Sequence, residues 1–141
     1  MTAGQPPQSE LLVARFLDRS LPKAEWTHEV HLRVGLWHVL HFPSEVALGR
    51  LRDGITGLNE AHGTPNTDRG GYHETTTRFY VALITRFVAH CDRSRNLDDL
   101  AKELIAECGH RDLLLRYYTR ARLDSIPARR GWIEPDLMPL E

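Results

Sequence analysis

The stretch between Thr27 and Pro43 constrains the fold more than any other part of the chain. At about 100° per residue, Val30, Leu32, Val34, Leu36, Trp37, Val39 and Leu40 cover most of a helix's circumference. A helix here must be buried on nearly all sides, so it belongs at the centre of whatever forms. Thr27 is placed to cap its start. Pro43 ends it near Phe42, because proline disfavours helical geometry in the residue before it. One strip differs from the rest: His28, His31, Gly35 and His38 fall on a single face, and Gly35 keeps that strip thin enough for another backbone to approach.

A central helix needs companions, and the rest of the chain supplies helical patterns with almost no strand alternation. Ser9 can cap a segment from Glu10 to about Arg19, and Pro22 breaks that pattern. Ser44 can cap a third helix carrying Leu48, Leu51, Ile55, Leu58 and His62, with Gly63 as its stop. The turn-rich run GTPNTDRGG follows, the kind of long connection in which function often sits. A fourth helix is expected from near His73 to about Cys91, with Thr77, Tyr80, Ile84 and Phe87 on the side of His73. Asn96 or Asp98 can cap a fifth helix that ends at Gly109. Asp112 can cap a sixth, running through Tyr118. From Ser125 onward, Pro127, Pro135 and Pro139 stand among Trp132, Ile133, Leu137 and Met138, a pattern that predicts an extended arm wrapped over the bundle. The expectation is a single all-α domain: a helical bundle of five to six helices over residues 9–141, the arm over 125–141, and a disordered leader over 1–8.

The length of 141 residues suits one core. With 18 basic against 19 acidic residues and a net charge of -1, nothing favours nucleic acid or an anionic membrane. A small-molecule substrate or ligand, or a protein partner, fits better, and a homodimer stays open. The opening MTAGQPPQSE lacks the regions of a signal peptide, and no stretch approaches the roughly 18 apolar residues that cross a bilayer. The chain is therefore expected to be cytoplasmic. Cys91 and Cys108 are too few and too far apart for a disulfide framework. There is no GxSxG, GxxxxGKS/T, GxGxxG or HExxH, so serine hydrolase, NTPase, Rossmann and zincin chemistry have no support. Arg120, Arg122, Arg129 and Arg130 are dispersed among acids. They suit salt bridges to the tail or a partner surface better than a DNA-binding face.

The histidines carry the functional argument. His28 and His31 stand in WTHEVHL and His73 in GGYHETTT, each group where a helix begins. A helix N-terminus disfavours imidazolium and so favours the neutral ring that binds metal. A catalytic zinc or iron commonly takes three protein ligands and keeps a position for water, a count that His28, His31 and His73 would complete. Zinc is the first expectation for this divalent metal, with iron, nickel or copper as alternatives. The competing account is a buried network of histidines, threonines and carboxylates without metal, and for His38, His41, His90 and His110 the role of a hydrogen-bonded core residue is preferred. His62 can be a fourth ligand, a general base or a core histidine. Glu74, like Glu29, is explained by the helix dipole, yet it could orient a ligand ring or take a proton from metal-bound water. Tyr72, Asn59 and Asn66 are candidates for holding substrate. Trp26 is more simply a hydrophobic staple before the Thr27 cap.

The order WTHEVHL, an Asn-containing helix end, NTDRGGYHETTT and WIEPDLMPL resembles a family of small uncharacterised bacterial proteins over most of the chain. It is also broadly similar to the DinB-like bundles, whose histidines usually include a pair four apart late in the chain rather than three apart and early. That second resemblance implies histidines from separate helices holding a divalent metal, and thiol-dependent transferase or hydrolase activity. Two functions follow as expectations: a metal-dependent enzyme, hydrolase or oxygenase, acting on a small molecule through three histidines, or a non-catalytic helical module that uses a histidine network to bind a ligand or partner.

Overall fold

The protein is described from a computed structural model that covers residues 8–140. Seven helices follow one another: α1 (Gln8–Leu17), α2 (His28–His41), α3 (Ser44–Ala61), α4 (Glu74–His90), α5 (Leu97–Cys108), α6 (Arg120–Leu123) and α7 (Ile126–Arg130). Short 3₁₀ turns stand at Lys23–Glu25 and Leu114–Arg116. Among the described residues the β pairing is limited to an isolated bridge between Thr67 and Gly70. The fold is all-α. The leader expected over 1–8 lies outside the described residues except for Gln8, which opens α1.

α2 is the axle that its apolar circumference demands. It packs against α1, α3, α4 and α5, and Leu32, Val34, Leu36 and Val39 are buried in the main core with Phe16, Leu58, Ile84 and Leu104. Thr27 caps it as expected, its hydroxyl accepting from the Val30 amide. Gly35 opens a space for a side chain rather than a backbone, since a Cβ there would come within 2.9 Å of Ile84 Cδ1 on α4. His38 is fully buried on the same helix, donating from Nδ1 to the Val34 carbonyl at 2.8 Å.

Local signals place most helix ends, and tertiary contacts move the others. Ser9 lies inside α1 rather than capping it. The first amides of that helix, Gln8 and Ser9, donate instead to the two carboxylate oxygens of Asp98, in the first turn of α5, at 3.0 and 2.8 Å. The Ser9 hydroxyl is free to accept from Arg33 at 2.7 Å. Asn96 caps α5 by accepting from the Asp99 amide, which leaves Asp98 available to a neighbouring helix. α3 begins at Ser44 after Pro43, with no side-chain cap.

The sixth expected helix is replaced by two short pieces, the 3₁₀ turn at Leu114–Arg116 and α6. Leu113, Leu114 and Tyr118 turn inward onto Phe79 and Leu83 to form a second small core. Thr119 and Ser125 then restart the chain as caps, accepting from the Arg122 and Ala128 amides. The C-terminal arm is accordingly helical before it is extended: Pro127 sits in the first turn of α7, where its missing N–H costs nothing, and regular helix stops at Gly131. Beyond it the Tyr118 hydroxyl donates to the Ile133 carbonyl at 2.6 Å, and the Leu137 amide to the Tyr117 carbonyl at 2.9 Å. Trp132 lies under the Arg78 guanidinium, 5.3 Å from its ring centre. Leu137 and Met138 stay exposed, so backbone bonds and ion pairs hold this arm as much as apolar burial does.

Because Asp98 serves as the cap of α1, Asp98→Ala should lower unfolding free energy by about 1–2 kcal/mol, with Asp98→Asn recovering part of the loss. Urea denaturation followed by circular dichroism measures it. An unchanged midpoint would show that α1 docks without this cap.

Candidate functional site

The staple expected of Trp26 forms, and its partner is a candidate ligand. With Thr27 as the cap, the residue that Trp26 should meet is the fourth of the helix, which is His31. The two rings stack with centroids 3.6 Å apart, and Trp26 also stacks on Phe16. His31 Nδ1 lies 2.7 Å from the Thr27 carbonyl. A carbonyl only accepts, so Nδ1 carries the proton and Nε2 is left as a bare lone pair. Burial pushes the His31 pKa down to about 4, against the pull of that carbonyl. The ring is fixed and neutral at physiological pH, with one acceptor nitrogen uncommitted.

His31 stands where two chambers of one cleft meet. The inner chamber, of about 90 Å³, lies between α2, α3 and α4, walled by Leu32, Gly35, Leu51, Tyr80 and Ile84 together with His28. The outer chamber, of about 420 Å³, is bordered by Lys23, Asn59, His62, Thr64, Tyr72 and His73. Trp26, His31, Ile55, Thr76 and Thr77 wall both. His28 meets the edge of Tyr80 at 5.4 Å, and burial lowers its pKa despite the Cys108 carbonyl nearby. Its Nε2 is sealed from solvent without a hydrogen-bond partner. A buried polar atom left so is uncommon, and it marks a place where a ligand or water can bond.

His73 is held by different work. It is the N-cap of α4: Nδ1 accepts from the Thr76 amide at 3.1 Å, while Nε2 donates to the Leu123 carbonyl at 2.8 Å. Both nitrogens are engaged, and burial lowers the pKa of the ring. His62 donates from Nε2 to the Leu21 carbonyl at 2.7 Å, tying the end of α3 to the turn after α1. Among the described residues no group of three His, Cys, Asp or Glu is arranged to hold a metal ion. The structure thus brings His28 and His31 to one chamber and places His73 at the rim of the other, its lone pairs and protons spent on backbone.

The remaining candidates divide in the same way. Glu74 is buried and receives a two-pronged contact from Arg52, Nε to Oε1 at 2.9 Å and Nη2 to Oε2 at 2.7 Å, and the Tyr72 hydroxyl donates to Oε1 at 2.7 Å. Burial alone would raise the Glu74 pKa, but these donors outweigh it and hold the carboxyl below its ordinary value. Glu74 does not wall the cleft; it anchors Tyr72, which does. Asn66 is a loop clamp. Its Oδ1 accepts from Asn59 Nδ2 at 3.0 Å and the Tyr72 amide at 2.9 Å, and its Nδ2 donates to the Thr56 carbonyl. Gly71 makes this possible: at φ 79° it occupies the left-handed region, and a Cβ would fall 2.6 Å from Asn66 Oδ1. Arg129 and Arg130 of α7 close the loop from outside, on the Gly71 and Tyr72 carbonyls and on Asp68.

Among the cleft residues not expected at the site are Lys23, Ile55, Thr76 and Thr77, of which Ile55 and Thr77 were expected only as inward helix positions. Ile55, Asn59 and His62 share one face of α3, and Thr76 and Thr77 follow His73 by three and four residues, so helical spacing held the signal for all but Lys23. Arg52, one turn before Ile55, was missed as the partner of Glu74. Comparison with protein-family models, curated proteins and solved structures finds no match.

Two measurements test this geometry. His73→Ala should cost about 1–2 kcal/mol of stability through loss of the α4 cap, with His73→Asn restoring part of it; equal stability of all three proteins would contradict the capping role. The pH dependence has a definite sign. Burial holds the pKa of His28, His31, His38 and His73 below the ordinary 6.5, so the unfolded chain binds protons that the folded chain refuses. Stability is complete above pH 6.5 and falls as the pH drops toward about 4, where His31 titrates. Urea midpoints should decline across that window, less steeply for His31→Phe; a flat profile would refute it.

Proposed function

We propose that the protein is a small-molecule-binding helical module whose ligand occupies the cleft between α2, α3 and α4 and donates a hydrogen bond to His31. The observation that carries this reading is the neutral, stacked His31 ring walling both chambers, with Nδ1 spent on Thr27 and no partner for Nε2 among the described residues. A concave site that is mostly apolar with a few fixed polar groups is the usual form of a small-molecule pocket. His38, His62 and His73 give their protons to backbone carbonyls, which supports a structural role for these three rings around the cleft.

The test uses hexan-3-ol, whose hydroxyl interrupts a short alkyl chain, in ligand-observed NMR titrations. Binding should weaken about fivefold to tenfold in His31→Phe, which keeps the stack on Trp26 and removes the acceptor. Equal affinity for the two proteins would overturn the reading.

A second reading keeps the metal-dependent enzyme, and the presence of both His28 and His31 on the walls of the inner chamber favours it. Two imidazoles would hold a divalent ion, zinc first, with the ligand completing its sphere; the ion would supply Lewis acidity for hydrolase or, as iron, oxygenase chemistry. On this reading zinc raises the melting temperature of the protein and of His73→Ala but not of His28→Ala or His31→Ala. No shift in any of the four proteins would remove it.

A further inference from the structure

The two chambers differ in chemical character, and the difference defines a ligand class. The inner one is lined almost wholly by carbon, with aliphatic walls from Leu32, Leu51 and Ile84. At about 90 Å³ it is smaller than the roughly 150 Å³ apolar cavity that accommodates benzene, so it suits a short alkyl end rather than a ring. The outer chamber has more polar residues on its walls, among them Lys23, Asn59 and Thr64. No carboxylate is among its wall residues.

Nearby acids are already committed. Glu25, two residues from Lys23, faces Arg15 at 3.5 Å, and Glu74 is taken by Arg52. Asp68 is held by Arg130. Among the described residues Lys23 has no ion pair. A lysine on the wall of a cleft without counter-charge favours an anionic group there, and its single positive charge is matched by a carboxylate and exceeded by a phosphoryl group of nearly two negative charges.

Resting on the ligand-binding reading above, we infer that the ligand is a short-chain hydroxycarboxylate: its alkyl end fills the inner chamber, its hydroxyl donates to His31 Nε2 where the chambers meet, and its carboxylate lies in the outer chamber beside Lys23. The order of the three groups along the molecule follows the order of the walls. Alkyl, donor and anion succeed one another from the buried end to the mouth. The Thr76 and Thr77 hydroxyls on the walls already donate to His73, to its Nδ1 and its carbonyl, so Lys23 is the group left to hold the carboxylate.

The experiment titrates three probes by ligand-observed NMR: 3-hydroxyhexanoate, the nearly isosteric neutral 3-hydroxyhexanamide, and hexan-3-ol. The protein, Lys23→Gln and His31→Phe are compared; Lys23 is exposed on a 3₁₀ turn, so its replacement leaves the fold intact. The acid should bind about fivefold to tenfold more tightly than the amide, and this gap should close in Lys23→Gln and in about 1 M salt, where screening is short-ranged. His31→Phe should weaken the acid and the amide alike. Equal affinity of acid and amide, or a gap that survives Lys23→Gln, overturns the inference. If hexan-3-ol and the amide bind through His31 while the acid gains nothing, the carboxylate is wrong and the ligand-binding reading stands. Failure of all three probes to bind at millimolar concentration overturns both.

Discussion

The imidazole of His73 joins the start of α4 to the far end of the chain. Its Nδ1 satisfies the first turn of α4, and its Nε2 reaches 50 residues along the chain to the Leu123 carbonyl. A helix start buried without a partner is costly. The cap that removes this cost also fixes where the short C-terminal helices lie. Once they are placed, Thr75 can donate to the Gly131 carbonyl and accept from the Ile133 amide, and Arg129 can close the loop over Gly71 and Tyr72. The loop bordering the cleft is therefore braced by the far end of the chain. Losing His73 would loosen the rim before it touched the central core.

Five histidines follow one rule: a neutral ring brings one donor, and a backbone carbonyl takes it. Of the four histidines expected in ordinary core roles, His38 is buried, whereas His41, His90 and His110 are exposed. His31, His38 and His41 each use the carbonyl four residues earlier in their own helix, whereas His62 and His73 use carbonyls of distant segments. The first kind orients a ring at little topological cost; the second kind fastens elements together. The remaining nitrogen decides chemistry. It is filled in His73 and has no hydrogen-bond partner among the described residues in His31. In His28 and His38 alike Nε2 is buried without a partner.

Much of the bundle was legible because its signals are local. The apolar circumference of α2, the Thr27 cap, the Asn96 cap and the helix beginning after His73 all follow from residues within a turn of one another. The misplaced pieces depend on contacts that no window reveals. Asp98, attractive as a cap for its own helix, caps another, and Leu113, Leu114 and Tyr118 leave helical register to cover Phe79. The site follows the same division. That His28 and His31 share a face was legible from their spacing. The bonds made by His73, His62, Glu74 and Asn66 were not, because a side chain's partner across 7 to 50 residues leaves no mark in the local pattern.

The position of the cleft follows from the same packing that buries α2. A helix apolar on nearly every side leaves no room against its neighbours except where side chains are missing or too rigid to fill space. Gly35 removes a side chain facing α4, and Ile84 enters only part of the gap. One turn earlier, His31 cannot swing inward to fill the rest, because the stack on Trp26 and the Thr27 carbonyl hold it flat. The void between them is the inner chamber. Glu74 stands in the first turn of the facing helix, where it could have put negative charge at the mouth, but Arg52 draws it away. What remains is an apolar end, one fixed acceptor and an uncompensated ammonium in sequence, an order of groups set by the helix packing itself.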